Sequence, residues 1–274
     1  LFHMKTEKGN KILVTGGAGF IGSCLVLKLL KEVDNKILNV DKLSYASDLT
    51  SISKKIQFNK ELASRYEFIK LDLNNCQETF EAVKNFKPDI IFHLAAESHV
   101  DRSIDNPSET IKSNIIGTFN LLEAARKYWN RLNQDKQNSF RFIHISTDEV
   151  FGSLDSEGFF NEITRYDPQS PYSASKASSD HLVKAWHGTY GLPTIITNCS
   201  NNFGPWQFPE KFIPTIILKS IKNEEIPIYG EGKNIRDWLF VEDHIDALIL
   251  ISKNGKPGLN YCIGGNNEIT NLKL

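Results

Sequence analysis

Lys11-Ile12-Leu13-Val14-Thr15-Gly16-Gly17-Ala18-Gly19-Phe20-Ile21-Gly22 decides how this chain folds. A short apolar strand runs into a turn with glycines at 16, 19 and 22, and apolar residues then recur at helical spacing from 21 to 30. Gly16 suits a tight turn, Gly19 a close backbone approach to a pyrophosphate, and Gly22 close packing of the helix on the strand. The helix start offers N–H groups and a positive dipole end to phosphates. A glycine-rich turn is a weak signal alone. Here it follows a strand and opens a helix, and Asp41 closes the next strand nineteen residues after Gly22. A carboxylate there can accept from ribose hydroxyls and would repel a 2′-phosphate, which favours NAD over NADP.

Outward from this unit, the runs 37–40, 68–71, 89–94, 140–145 and 193–197 read as further strands. Residues 108–129 and 172–190 read as long helices. Apolar, non-alternating strands separated by helices predict an α/β fold, a doubly wound parallel sheet of the Rossmann-like, NAD-binding kind. Residues 1–198 are expected to form that domain. Three prolines and several aromatics between 201 and 214 then point to loops, followed by a helix at 213–223 and a short strand at 226–230. Residues 199–274 are therefore expected to be a smaller C-terminal substrate-binding region. The last four residues read as the start of a helix.

Composition narrows the partners. Lys+Arg 32 against Asp+Glu 33 gives a net charge of -1, with no broad attraction to nucleic acid or an anionic membrane. No apolar run approaches the roughly 20 residues of a membrane span, and residues 1–10 lack the apolar core of a signal peptide. Cys24, Cys76, Cys199 and Cys262 are scattered within or beside apolar stretches, as small buried hydrophobes would be. Neither a disulfide nor a metal site is expected, and the compartment reads as cytoplasmic.

Three groups can carry chemistry. Tyr172 and Lys176 lie four apart on a helix and share a face, where an ammonium, together with a positive nicotinamide ring, would lower the tyrosine's pKa. Thr147-Asp148-Glu149 closes the fifth strand, where an open α/β sheet holds its ligands. Adjacent carboxyls there can divide acid and base work, although such a pair commonly marks a surface turn. Leu94-Ala95-Ala96 ends the fourth strand with residues small enough for a cofactor to lie on the backbone, or simply to pack. Asp72, at the end of the third strand, could reach an adenine amino group or serve as a turn or cap residue.

Gly16 to Gly22 with Tyr172 and Lys176 resembles the extended short-chain dehydrogenase/reductase superfamily. Residues His93 to Ser103, Ser146 to Val150, Pro209-Glu210-Lys211 and Arg236-Asp237-Trp238 resemble, in that order, the dTDP-glucose 4,6-dehydratase family. The resemblance implies an NAD-dependent enzyme in which C4 of the hexose is oxidised, water is eliminated across C5 and C6, and hydride returns to C6. Glu149 would be the base at C5, Asp148 the acid at O6, and Thr147 a partner of the C4 oxygen. Phe20, Ile21, Lys42, Ser44, Leu73 and Ser98 are expected to complete the cofactor site. On the substrate side, the resemblance points to Asn202 and Arg236 for the diphosphate, with Lys211 nearby, and Asn201 and Glu210 are expected to bind substrate as well. It points to Pro227 and Tyr229 for the base, and to Ser98 and His99 for the sugar. Arg236 could equally pair with Asp237, and His99 could be structural. The likeness further implies a homodimer joined through the two long helices. It also implies continuation past residue 274, with an arginine and an aromatic residue that close over the nucleotide. A nucleotide-sugar 4-epimerase or decarboxylase, or a non-catalytic NAD-binding sensor, would share the cofactor site without needing Asp148 and Glu149.

Overall fold

Ile12, Leu13 and Val14 are at most 2% exposed, so this strand is covered on both faces, as a central parallel strand must be. The structure is a computed structural model that describes residues 9–32, 34–154, 158–228 and 231–274. Tyr229 and the polar residues 1–8 lie outside the described residues. Ten strands are described: β1 (Lys11–Thr15), β2 (Lys36–Asp41), β3 (Tyr66–Lys70), β4 (Ile90–His93), β5 (Arg141–Thr147), β6 (Thr194–Cys199), β7 (Asn201–Phe203), β8 (Ile235–Phe240), β9 (Asn260–Ile263) and β10 (Glu268–Thr270).

The main sheet is parallel throughout, in the order β3-β2-β1-β4-β5-β6-β9. The chain winds outward from β1 to β3, then returns to place β4 on the other side of β1. Crossovers on the two sides of β1 diverge, which opens a crevice at the carboxyl ends of β1 and β4. On one face, the helices Phe20–Lys31 and Val241–Asn254 pack on Ile12, Val14, Phe92 and Ile143. On the other, Cys76–Phe86, Gly117–Trp129 and Pro171–Tyr190 cover Leu13, Leu38, Ile91 and Phe142. The expected doubly wound Rossmann-like fold is thus present.

Several expectations are corrected in detail. The stretch 108–129 contains three segments: an α-helix Pro107–Ile111, a π-helical turn Lys112–Ile116, and an α-helix Gly117–Trp129. The wide turn carries Asn114, buried, whose amide accepts from the Glu97 N–H at 2.7 Å and donates to Ser175 Oγ at 2.8 Å. A local hydrogen-bonding demand of this kind is a recurrent reason for a π-bulge, and apolar spacing gives no sign of it. Residues 226–228 form no strand, and 271–274 form a turn after β10 rather than a helix.

The chain beyond residue 198 occupies two places. β7, β8 and β10 form a small sheet beside the crevice, whereas β9 joins the main sheet next to β6. The helix Val241–Asn254 packs against Phe20–Lys31. None of β8, β9, β10 or this helix was marked by the pattern, because their apolar residues sit among prolines, glycines and charges. Cys76 is a further correction. It is exposed at the start of its helix, while Cys199 is buried, Cys24 and Cys262 are half-buried, and all four are free.

Candidate active site

The glycine turn shows why it must be glycine. Gly16 has φ +73°, and a Cβ there would stand 2.6 Å from the Ala95 nitrogen and 2.8 Å from the Leu94 carbonyl carbon. A Cβ on Gly22 would collide with the Gly16 carbonyl oxygen and lie 2.7 Å from Gly17 Cα. The turn is therefore pressed against both β4 and its own helix. That helix begins at Gly19 with no side-chain cap, so its first N–H groups face the crevice.

The crevice is a cleft of about 320 Å³. It is lined by Gly16, Gly19, Phe20, Ile21 and Gly22 from the turn, and by Asp41, Lys42, Ser44, Asp72 and Leu73 after the second and third strands. Leu94, Ala95, Ala96 and Ser98 line it after the fourth. Every residue expected at the cofactor site borders this one cavity. A bare helix start, a backbone cradle that any Cβ would fill and a carboxylate at the far end fit a dinucleotide lacking a 2′-phosphate.

Asp41 is held more tightly than expected. Its carboxylate accepts from Ala18 N at 3.0 Å, Leu43 N at 2.8 Å and Ser47 Oγ at 3.0 Å, so it also fastens the glycine turn to the next loop. Asp72 caps its own turn through Asn74 N at 2.9 Å while lining the cleft. Lys42 pairs with Glu97 at 2.7 Å and Glu109 at 3.1 Å, and these partners raise its pKa against burial that lowers it.

The reacting groups come from two elements. β5 delivers Thr147 at its carboxyl end, and a single 3-10 turn then carries Asp148 and Glu149. Thr147 Oγ1 accepts from Glu149 N–H and donates to Asp148 Oδ1, each at 3.2 Å. The pair is not a surface turn: burial, with Glu149 beside it, pushes Asp148 up to about 6. Burial also raises Glu149, but the cationic Arg236 and Lys211 pull it back. Both carboxyls are thus raised, in unlike surroundings: Glu149 adds to burial at Asp148, whereas Arg236 and Lys211 oppose burial at Glu149.

Tyr172 enters from the helix Pro171–Tyr190, whose start is fixed by a Ser170–Ser173 capping box and Pro171. Lys176 follows one turn later, and its Nζ donates to the Ile145 carbonyl at 2.8 Å. The protein's own groups act on the Tyr172 pKa in the direction opposite to that expected of the ammonium and the nicotinamide ring together. Burial, Glu149, Cys199 and Asp148 hold it well above its ordinary value, against a Thr147 hydrogen bond that lowers it. The ammonium is aimed at the strand, and the carboxylates dominate the phenol's surroundings.

Beneath these groups lies a polar layer absent from the sequence reading. Asp180, fully buried, accepts from Ser146 Oγ at 2.9 Å and Tyr166 OH at 2.8 Å, and lies 3.1 Å from His144 Nε2. That last pair misses hydrogen-bond alignment, and burial pushes His144 down to about 4, so the contact is not an ion pair near neutral pH. His93 is held between Thr15 at 2.7 Å and Thr118 at 2.8 Å. The spacing Tyr172, Lys176, Asp180 was the available signal, since all three share one helix face.

On the substrate side Asn201, Asn202 and Lys211 line the cleft. Arg236 is exposed, and the alternative pairing with Asp237 does not form: Asp237 accepts instead from Gly265 N at 2.6 Å and Asn267 N at 2.8 Å. Glu210 and His99 face each other at 3.5 Å, with Arg102 on Glu210 at 3.3 Å, so this cluster sits beside the cleft rather than in it. Pro227 is exposed and does not line the cleft either.

Comparison with known proteins decides between chemistries that share such a cleft. Residues 13–274 match the family model described as GDP-mannose 4,6 dehydratase. The dTDP-glucose 4,6-dehydratase of Salmonella typhimurium is 53% identical over 273 residues, spanning 96% of this chain and 74% of that one. The chain belongs to the dTDP-glucose 4,6-dehydratase family. Among solved structures, the dTDP-glucose 4,6-dehydratase of Bacillus anthracis in complex with NAD has a TM-score of 0.85 at 41% identity, covering 97% of this chain and 78% of that one. The Streptomyces venezuelae enzyme with NAD and dTDP bound has a TM-score of 0.86 at 38% identity, covering 96% and 78%.

Several cleft residues of this dTDP-glucose 4,6-dehydratase family member were not anticipated. Ile145, Ser146, Cys199 and Ser200 lie at or beside the carboxyl ends of β5 and β6, a position that marks them without any motif. Gln207 and Phe208 come from the proline-rich loop, where only the tertiary path brings them in.

The raised Asp148 carries a stability prediction. Its folded pKa of about 6 exceeds the ordinary 3.8, so its contribution to stability is fully present below pH 3.8 and is lost as pH rises through about 6. Asp148→Asn should therefore be more stable than the parent at pH 7.5, by about 1–3 kcal/mol. The gap should close toward pH 4, as measured by urea unfolding across pH.

Proposed function

We propose that this chain is an NAD-dependent lyase that converts dTDP-glucose to dTDP-4-keto-6-deoxyglucose and water. The observation that carries this reading is the placement of Asp148 and Glu149 side by side in the cleft in unlike surroundings: one carboxyl raised to about 6, its neighbour raised by burial but faced by two cations. Elimination needs a proton donor and a proton acceptor side by side, which a 4-epimerase, a decarboxylase or a sensor does not.

NAD held by the glycine turn and Asp41 would supply a hydride acceptor for C4 and a hydride donor for C6, without net consumption. Tyr172 takes the C4 hydroxyl proton, and Thr147 hydrogen-bonds the C4 oxygen. Glu149 removes the C5 proton, which a ketone at C4 makes acidic, and Asp148 protonates the departing C6 hydroxyl. Asn202, Lys211 and Arg236 supply donors for the diphosphate, Arg236 with the planar fork that suits phosphate oxygens. Residues 1–198 provide the cofactor site, and 199–274 provide the substrate side while returning β9 to the sheet. Because the free chain holds Tyr172 protonated, the oxidation step should accelerate as pH rises from 6 to 9 in single-turnover measurements.

Incubation with dTDP-glucose should give a product with the alkaline absorbance of a 4-keto-6-deoxy sugar. Appearance of dTDP-galactose instead would sink the dehydratase reading in favour of epimerisation.

The reading extends to a cytoplasmic homodimer. Four free cysteines and no described helix able to cross a membrane support the compartment. Ile111, Ile116 and Phe119, one on each of the three segments between Pro107 and Trp129, and Tyr190 on the adjoining helix, each 40–46% exposed, support the dimer face. Light scattering should find twice the chain mass, and Phe119→Glu should halve it.

A further inference from the structure

Asn202 ends up in an unusual bind. Its side-chain nitrogen donates to the Ser200 carbonyl at 2.9 Å, and its side-chain oxygen lies 2.8 Å from His244 Nδ1. A carbonyl oxygen can only accept, so the Asn202 nitrogen must face Ser200 and the oxygen must face the imidazole. His244 Nδ1 must then carry a hydrogen. The other ring nitrogen, Nε2, is buried with no partner in the described structure, and the residue is 0% exposed. A buried N–H without an acceptor is costlier than a buried lone pair without a donor, so the surroundings also favour the proton on Nδ1. Burial pushes the pKa of His244 down to about 4, which leaves one ring proton near neutral pH.

The backbone is fixed as well. Asn202 pairs with Leu239 across β7 and β8, and Gln207 Nε2 donates to the Asn202 carbonyl at 2.9 Å. His244 lies on the helix that starts directly after β8. Its carboxamide is thus held between strand and helix, with the nitrogen's second hydrogen in reach of the Cys199 thiol, a weak acceptor lining the same cleft.

We propose that His244 is a positioning residue: its Nδ1–H tautomer turns the Asn202 carboxamide so that the cleft meets an N–H donor and not a carbonyl oxygen, which selects the anionic diphosphate of the substrate. The inference rests on the reading above that Asn202 meets that diphosphate. With the opposite tautomer, the imidazole lone pair would compete with the Ser200 carbonyl for the amide nitrogen, and a turned amide would set its oxygen against that carbonyl and toward an anion. His244 touches neither substrate nor cofactor. It acts only through Asn202.

Two variants and one spectrum test this in the NAD-loaded chain. His244→Leu removes the donor, whereas His244→Asn keeps an N–H close to the place of Nδ1. His244→Leu should weaken dTDP binding by about 10-fold in calorimetry, one charge-assisted hydrogen bond. KM for dTDP-glucose should rise to match, kcat should change less than about 3-fold, and NAD affinity should stay unchanged; His244→Asn should recover most of the loss. The imidazole ¹⁵N shifts of the native chain should show the proton on Nδ1. A proton on Nε2, or dTDP binding in His244→Leu as tight as in the native chain, overturns the proposal. Equal losses in kcat and stability with no change in KM overturn it too, because they report a merely structural residue. If the native chain binds no dTDP, the functional reading fails instead, and the ¹⁵N shifts still decide whether His244 holds the amide. They require no variant to fold.

Discussion

Glu149→Gln should leave C4 oxidation in place and slow elimination by about 10²–10⁴-fold, the usual weight of a positioned general base. The substitution keeps the shape and removes the acceptor. Exchange of the C5 proton with solvent, followed by mass spectrometry of substrate recovered from deuterated water, should nearly vanish while a transient NADH signal survives. Retained exchange would mean that another group is the base. The pH dependence separates the partners. Elimination in the native chain should fall on the acid side as Glu149 takes up a proton, and on the alkaline side as Asp148 loses its own. Glu149→Gln should lose the acid limb and Asp148→Asn the alkaline one, with the two carboxyls titrating as a pair in the parent.

Gly16→Val should have the second largest effect, and it acts on the fold and the cofactor together. A side chain at φ +73° costs about 1–2 kcal/mol before any contact is considered. The added Cβ would also lie 2.6 Å from the backbone nitrogen of Ala95, two residues after the end of β4. The sum is expected to exceed about 3 kcal/mol, in the upper range for single substitutions. A lowering of Tm by roughly 5–12 °C follows for a chain of this size. The sharper readout is linkage: saturating NAD should raise the Tm of the parent but not of the variant, because the turn can no longer press against β4. Undiminished stabilisation by NAD would show that the turn is not the phosphate cradle.

The glycine turn, Asp41 and the strand ends were legible because each is a local requirement. A tight turn needs glycine wherever the chain places it, and parallel strands ending beside one crevice deliver their last residues to it. Thr147, Tyr172 and Lys176 were found for the same reason, with family likeness adding the division between Asp148 and Glu149. Arg236 was legible as a cation but not in its partner, since the loop at Gly265 and Asn267 claimed Asp237. The π-helical turn, β9 and the helix after β8 were not legible, because what fixes them is distant: Asn114 meeting Glu97 and Ser175, or β9 finding the free edge of β6.

By itself, then, the sequence determined that the chain folds as a doubly wound sheet, which turn faces a dinucleotide, and which residue types stand at the strand ends. Periodicity and turn chemistry act over a few residues, and they survive reading along a line. The tertiary structure alone decided the protonation landscape. Burial raises Asp148, Arg236 and Lys211 restrain Glu149, and burial, followed by Glu149, Cys199 and Asp148, raises Tyr172. It also decided that a buried histidine from the far end of the chain sets the face of Asn202. Charge and desolvation act through space, and no spacing along the chain encodes who will be buried beside whom.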